Sequence, residues 1–241
     1  MKCYENHMAQ EIPLVNLLYL LLPLGLCAWL YYRWCGEKAE LSMAAIRMVA
    51  QLLLIGYALN YLFTADSWWM GLAIVVIMSV TASWIAVRPF RSDARPVFRI
   101  CWLAVSAGSL VVFVLVYYGV LATETLYKPR TFIPIAGMIF SSAMNTVSLC
   151  GERYCNERMN GQDYQQARSA AFRASMIPKV NSFLAVGLVS LPGMMTGQIL
   201  SGIDPLIAVR YQIMVMLMLL GSGGLSAALF LVFMQPRERS E

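Results

Sequence analysis

Residues Ala185–Gln212 read AVGLVSLPGMMTGQILSGIDPLIAVRYQ. An apolar run of membrane character is interrupted at Leu191-Pro192-Gly193 and then resumes. Proline removes a backbone donor and clashes with the carbonyl four residues back, and glycine loosens a helix. In lipid every unsatisfied backbone group is costly, so a broken helix persists inside protein or beside a water-filled cavity. The break therefore points to a pathway or a tightly packed helix interface rather than to a simple anchor.

Outward from that stretch the chain stays apolar. Of 241 residues, 59% are hydrophobic and 13% charged, against roughly 25% charged in a soluble domain. This composition predicts an all-α, polytopic membrane protein with residues 1–241 forming one transmembrane domain. No GxxxxGK[ST] phosphate loop occurs in the sequence, so ATP hydrolysis through such a loop is excluded for this chain.

A helix needs about 20 apolar residues to cross the hydrocarbon core. Seven segments qualify: Ile12–Tyr32, Ile46–Phe63, Trp68–Val87, Ile100–Leu121, Phe132–Cys150, Val180–Leu200 and Tyr211–Met234. The first is too long for a signal-peptide core, and no small-residue cleavage site follows it. One set of connecting loops carries Arg33, Lys38, Arg47, Arg88, Arg91, Arg95, Arg99, Arg153, Arg158, Arg168, Arg173, Lys179, Arg237 and Arg239, 14 of the 18 Lys and Arg. The other side holds only Lys2, Lys128, Arg130 and Arg210. The positive-inside rule then predicts an outside N-terminus and a cytoplasmic C-terminus. The net charge of +5 needs no nucleic acid to explain it.

None of the seven segments contains Asp or Glu, and the sole histidine is His7. Proton-coupled carriers usually rely on a membrane carboxylate or histidine, so a proton antiporter is disfavoured. So is a zinc or iron enzyme built from His and carboxylate ligands. Of the cysteines, Cys3 alone falls outside, so a structural disulfide is not expected. Cys150 and Cys155 flank GERY, a spacing that matches no common zinc pattern. Sixteen methionines are present; thioethers suit copper(I) better than iron, and they are also adaptable core fillers. Met194 and Met195 stand out because they sit in the break.

The longest cytoplasmic loop runs from Gly151 to Pro178. Within it Asp163–Ile177, DYQQARSAAFRASMI, reads as a short helix. Asp163 caps it, Tyr164, Ala167, Ala171 and Phe172 form an apolar stripe, and Arg168 and Arg173 sit off that stripe. Pro178 is expected to end it. Such a helix fits a groove in a soluble partner or lies on anionic lipid.

FIPIAGMIFSSAMNTVSL (Phe132–Leu149) and IPKVNSFLAVGLVSLPGMMTGQILSGIDPLIAVRYQIMVMLML (Ile177–Leu219) closely resemble the FetB-type iron-export ABC transporter permease family, which includes plant proteins linked to aluminium tolerance. AIRMVAQLLLIGYALNYLF (Ala45–Phe63) resembles it more loosely. The resemblance implies a multi-pass permease of the bacterial cytoplasmic (inner) membrane, binding no cofactor itself. Two copies would work with two separate ATP-hydrolysing subunits and export iron. The chain has Ser141-Ser142 where relatives often have Gly-Asn, and its coupling segment is shorter and lacks the Leu-Gly-Ala of relatives.

On that basis the Asp163–Ser175 helix, with Asp163, Tyr164, Ala167, Arg168, Phe172 and Arg173, couples to the ATPase. The break at Pro192–Gly197 and a Pro134–Gly137 kink let the last spans move. Asn145, Asn181, Ser182, Ser190, Thr196 and Gln198 offer oxygen ligands along the path, beside Met194 and Met195. Gly193 and Gly197 form a GxxxG pair suited to close helix contact. Two other classes remain open: a secondary carrier for an organic solute, coupled to sodium through carbonyls at the break, and a non-transporting membrane scaffold.

Overall fold

The computed structural model describes residues 13–36, 40–62, 68–90, 94–123 and 127–235. Lys2, Cys3, His7, Lys38, Arg91, Arg237 and Arg239 lie outside these stretches. Among the described residues the chain is helical, with one isolated bridge pair and no strand. Two compact units are separated between Ala65 and Asp66.

The first unit holds a 3-10 turn, Leu14–Leu20, and helices α1 (Leu21–Cys35) and α2 (Glu40–Leu62). Tyr31 Oη donates to Glu40 Oε2 at 3.0 Å, linking the two. Their apolar side chains, Leu22 and Leu54 among them, are exposed, as expected of helices whose solvent is lipid.

The second unit is a bundle of α3 (Trp68–Ala86), α4 (Ala94–Val114), α5 (Pro129–Met159), α6 (Tyr164–Ala185), α7 (Gly193–Leu200) and α8 (Pro205–Phe233). α5 is central and packs on α3, α4, α6 and α8. Its inward face carries Ile139, Ala143, Val147 and Cys150, all fully buried. The C-terminal end of α4 widens into a π-helical segment, Leu115–Val120. Tyr117 is buried there and packs against Phe113 and Phe132. Its hydroxyl accepts from the Lys128 amide at 2.9 Å, which ties the π segment to the start of α5.

Among the described residues six helices are long and apolar enough to cross a membrane: Val15–Cys35, Glu40–Ala58, Trp68–Ala86, Pro96–Val120, Pro129–Met159 and Pro205–Phe233. The expected span Val180–Leu200 is corrected, because it is not one helix. α6 begins at Tyr164, ends at Ala185, and is followed by a turn and then by the eight residues of α7. These pieces nonetheless run the length of α8 in the opposite direction. Tyr164 Oη donates to Leu231 O at 2.9 Å, Met176 lies at Gly224, Phe183 shares a cavity with Met216, and Met195 shares it with Val209. The expected sixth segment is therefore two helices and a turn, packed antiparallel to α8.

Pro178 does not stop α6; it lies inside the helix. Removing one backbone bond and adding the ring clash costs about 3 kcal/mol. Against that, Ala167, Ala171 and Ser175 are buried where α6 packs on α5 and α8. The stretch from Gly151 to Pro178 is consequently not a loop. It is the end of α5, a turn at Asn160–Asp163, and the first two-thirds of α6. Asp163 caps α6 as expected, accepting from the Gln166 amide at 2.7 Å.

Candidate functional site

The break opens at Val186 rather than at Pro192. Gly187 takes φ +84°, a left-handed conformation that suits glycine, and the chain folds over Val186–Ser190. Every amide of these five residues is bonded: Val186 to Ser182 O, Gly187 to Ser190 O, and Leu188, Val189 and Ser190 all to Ala185 O. The turn thus satisfies its own donors, which lipid demands, without needing water. Leu188 and Val189 at its tip are 91% and 84% exposed, so within this chain the break is not a tightly packed interface. Pro192 is the N-cap of α7.

Between the break and the start of α8 lies a cavity of about 340 Å³. Phe183, Val186, Gly187, Leu191, Met195, Val209, Gln212, Ile213, Met216 and Leu217 line it. Its walls are apolar apart from Gln212, whose side-chain carbonyl is buried and has no hydrogen-bond partner among the described residues. The Gln198 carbonyl on α7 is in the same state. Thr196 Oγ1 is occupied locally, donating to Pro192 O at 3.1 Å.

The remaining expected site residues separate into groups. Met195 lines the cavity; Met194 is half-buried and does not. Ser190, Gly193 and Gly197 are exposed, and a Cβ added at either glycine meets nothing within 4 Å. The GxxxG pair therefore packs on nothing among the described residues. Pro134 is exposed on α5, and Gly137 faces Met78 of α3, away from the break. Neither interrupts α5. Asn145 is exposed on α5. Asn181 lines a larger cavity of about 930 Å³ between α6 and α8, together with Arg168, Phe172, Arg173 and Met176.

The expected coupling residues also divide. Ala167 is fully buried, and Tyr164 is half-buried with its hydroxyl bonded to α8. Both hold α6 in the bundle, so the apolar stripe meets the chain's own core rather than a partner. Asp163, Arg168, Phe172 and Arg173 remain exposed, with the Arg168 guanidinium 5.5 Å from the Tyr164 ring centroid.

The residue that sequence reasoning misplaced is Lys179. Counted there among loop charges, it sits one residue past Pro178 on the continuing helix. Its Nζ donates to Ser142 Oγ at 2.7 Å, and Ser142 Oγ donates onward to Leu219 O at 2.6 Å. Ser142 is the fourteenth of 31 residues in α5, and Leu219 the fifteenth of 29 in α8. The ammonium is thus bound halfway along two helices that are each over 40 Å long at about 1.5 Å per residue. The missed signal was the absence of any glycine between Gly161 and Gly187, which left Pro178 alone to end the helix. Among the described residues, no group of three or more His, Cys, Asp or Glu forms a metal-holding cluster.

The geometry joins an apolar helical bundle to one segment broken between α6 and α7 that carries a half-buried lysine. Matching sequences place it. The family model described as "Uncharacterised protein family (UPF0014)" matches residues 14–237. The chain belongs to the UPF0014 family. It is 35% identical over 214 residues to a UPF0014 membrane protein of Synechocystis, covering 83% of each chain. It is 36% identical over 195 residues to the "Probable iron export permease protein FetB" of Escherichia coli, covering 75% of this chain and 74% of that one. It is 32% identical over 207 residues to "Protein ALUMINUM SENSITIVE 3" of Arabidopsis thaliana, covering 79% and 74%. No solved structure matches the chain. This UPF0014 protein is an all-α, multi-pass membrane protein, as its sequence predicts.

Proposed function

We propose that this UPF0014 protein is the membrane-spanning permease subunit of an ABC-type exporter that moves iron out of the cytoplasm, driven by a separate ATPase. Two copies and two ATPases form the working unit, with the N-terminus outside and the C-terminus in the cytoplasm. The observation that carries this reading is the break between α6 and α7, in the expected sixth crossing. A scaffold needs no broken helix, whereas transporters place their sites at discontinuous helices. The name of the Escherichia coli relative supports both the permease role and the iron cargo.

The charged hairpin where α5 meets α6 supports the partner. α5 continues nine residues past Cys150, through Arg153, Glu157 and Arg158, to Met159. That carries the turn at Asn160–Asp163 about 14 Å beyond the apolar stretch. Arg168, Phe172 and Arg173 are exposed on the adjoining part of α6 and form the surface offered to the ATPase. The test is hydrolysis by the candidate ATPase co-purified with this chain in liposomes, with and without iron, and iron movement in the same vesicles. Iron-stimulated hydrolysis with matching flux is expected. A stable complex without an iron response removes the cargo, and failure to form a complex removes the permease role.

A further inference from the structure

We propose that the species carried past α6 is an anion, or a metal held inside an anionic chelate, and that the Lys179 ammonium receives its negative charge. This rests on the transport reading above and names its substrate class. The first support is position. Lys179 is bonded at the midpoint of α5 and α8 through Ser142 and Leu219, where an ionised side chain is tolerated only if paired or facing a water-filled cavity. The second is the missing counter-charge. No Asp or Glu occurs in the apolar segments, and among the described residues the one hydrogen bond of Nζ is to Ser142. An ammonium has three donors, so two remain for a ligand.

A cavity on the same helix, lined by Val180 and Asn181 next to Lys179 in sequence though not by Lys179 itself, has the same sign. The cavity of about 930 Å³ between α6 and α8 carries Arg168 and Arg173 toward the charged end and Asn181 further in, with no carboxylate among its lining residues. Lys179 itself is half-buried, and Pro178, Val180, Asn181 and Ser182 around it are exposed. Among the described residues, the positions flanking the ammonium on α6 are therefore uncovered. Cations lining a cleft raise the local concentration of anions and repel a bare divalent cation. A metal without its ligands would meet Arg168 and Arg173 in the cavity and Lys179 on the same helix, with no carboxylate among the cavity's lining residues; a carboxylate chelate would meet complementary charge at each.

The test is equilibrium dialysis of the full chain in phosphatidylcholine nanodiscs against three labelled probes: citrate, ferric citrate and ferrous ion. Wild type is compared with Lys179→Gln, Lys179→Arg and Ser142→Ala, each first shown monodisperse. The expected result is binding of citrate or ferric citrate to wild type. Lys179→Gln weakens it by about tenfold or more, the worth of a charged hydrogen bond, Lys179→Arg largely retains it, and Ser142→Ala weakens it less. Should Lys179→Gln fail to fold, the contrast between Lys179→Arg and Ser142→Ala decides. Binding of ferrous ion that Lys179→Gln leaves intact or tightens, with no anion bound, overturns the inference while sparing metal export. Citrate binding that depends on Lys179, in vesicles that move no iron, keeps the inference and removes iron as cargo. Anion binding that is absent, or equal in all variants, overturns it.

Discussion

Gly108→Ala tests a close contact between α4 and α8. α4 and α8 cross where a Cβ on Gly108 would meet Ser226: its Oγ, its backbone N at 2.7 Å and its Cα at 2.9 Å. A hydroxyl can rotate aside, but the backbone atoms cannot, so the helices must separate until carbon contacts return to about 3.5–4.0 Å. Ala104, Val105 and Ser109 on α4, and Ser222, Ala227 and Phe230 on α8, are all fully buried and would lose contact together. Inserting a carbon into a packed interior costs about 1–3 kcal/mol, with a backbone clash at the upper end. Alanine recovers about 1 kcal/mol as the better helix former, leaving a net loss of about 2 kcal/mol. Unfolding in mixed micelles, followed by tryptophan fluorescence, measures it. A Gly108→Ala protein as stable as wild type would refute the α4–α8 crossing.

Gly197→Ala is the matching control: it lies inside α7 with nothing within 4 Å, so the same assay should show stability unchanged or raised by up to about 1 kcal/mol. Tyr117→Phe strips the Lys128 amide of its acceptor and is expected to lower stability by about 1–2 kcal/mol; an unchanged midpoint would mean that the π segment is held by ring packing alone. Pro192→Ala is expected to lower flux in reconstituted vesicles while membrane insertion, read by protease protection, stays intact. Normal flux in that variant removes the α7 cap from the mechanism.

The membrane spans were legible because crossing lipid imposes a length and a composition that can be counted, and six of the seven expected segments overlap long apolar helices. The remaining one was legible only as a disturbance. Leu191-Pro192-Gly193 announced a break, yet the helix leaves its path at Val186, where the φ of Gly187 permits the turn. Nothing in the local sequence weighs Gly187 above Gly193; the choice is made by which amides the turn can bond. Pro178 failed as a stop signal for a related reason. Its penalty is local, while the burial that overrides it comes from α5 and α8, distant in sequence. Of the expected stripe Tyr164, Ala167, Ala171 and Phe172, the two alanines are buried, Tyr164 is half-buried and Phe172 is exposed; a period does not say what covers a face.

The two irregularities of the broken segment therefore make unequal demands. The break attracted attention because lipid penalises open backbone, yet its five amides close on Ala185, Ser182 and Ser190 within the turn itself. The donors of the turn are thus satisfied within the chain, and its tip presents the exposed Leu188 and Val189. Lys179 is different: one donor is used, and no carboxylate stands in the apolar segments to balance the charge. Replacing it by a leucine would remove the demand entirely, so its presence has a cost that packing does not explain. The backbone anomaly sets where the crossing can bend; the side-chain anomaly is the one that requires something from outside the chain.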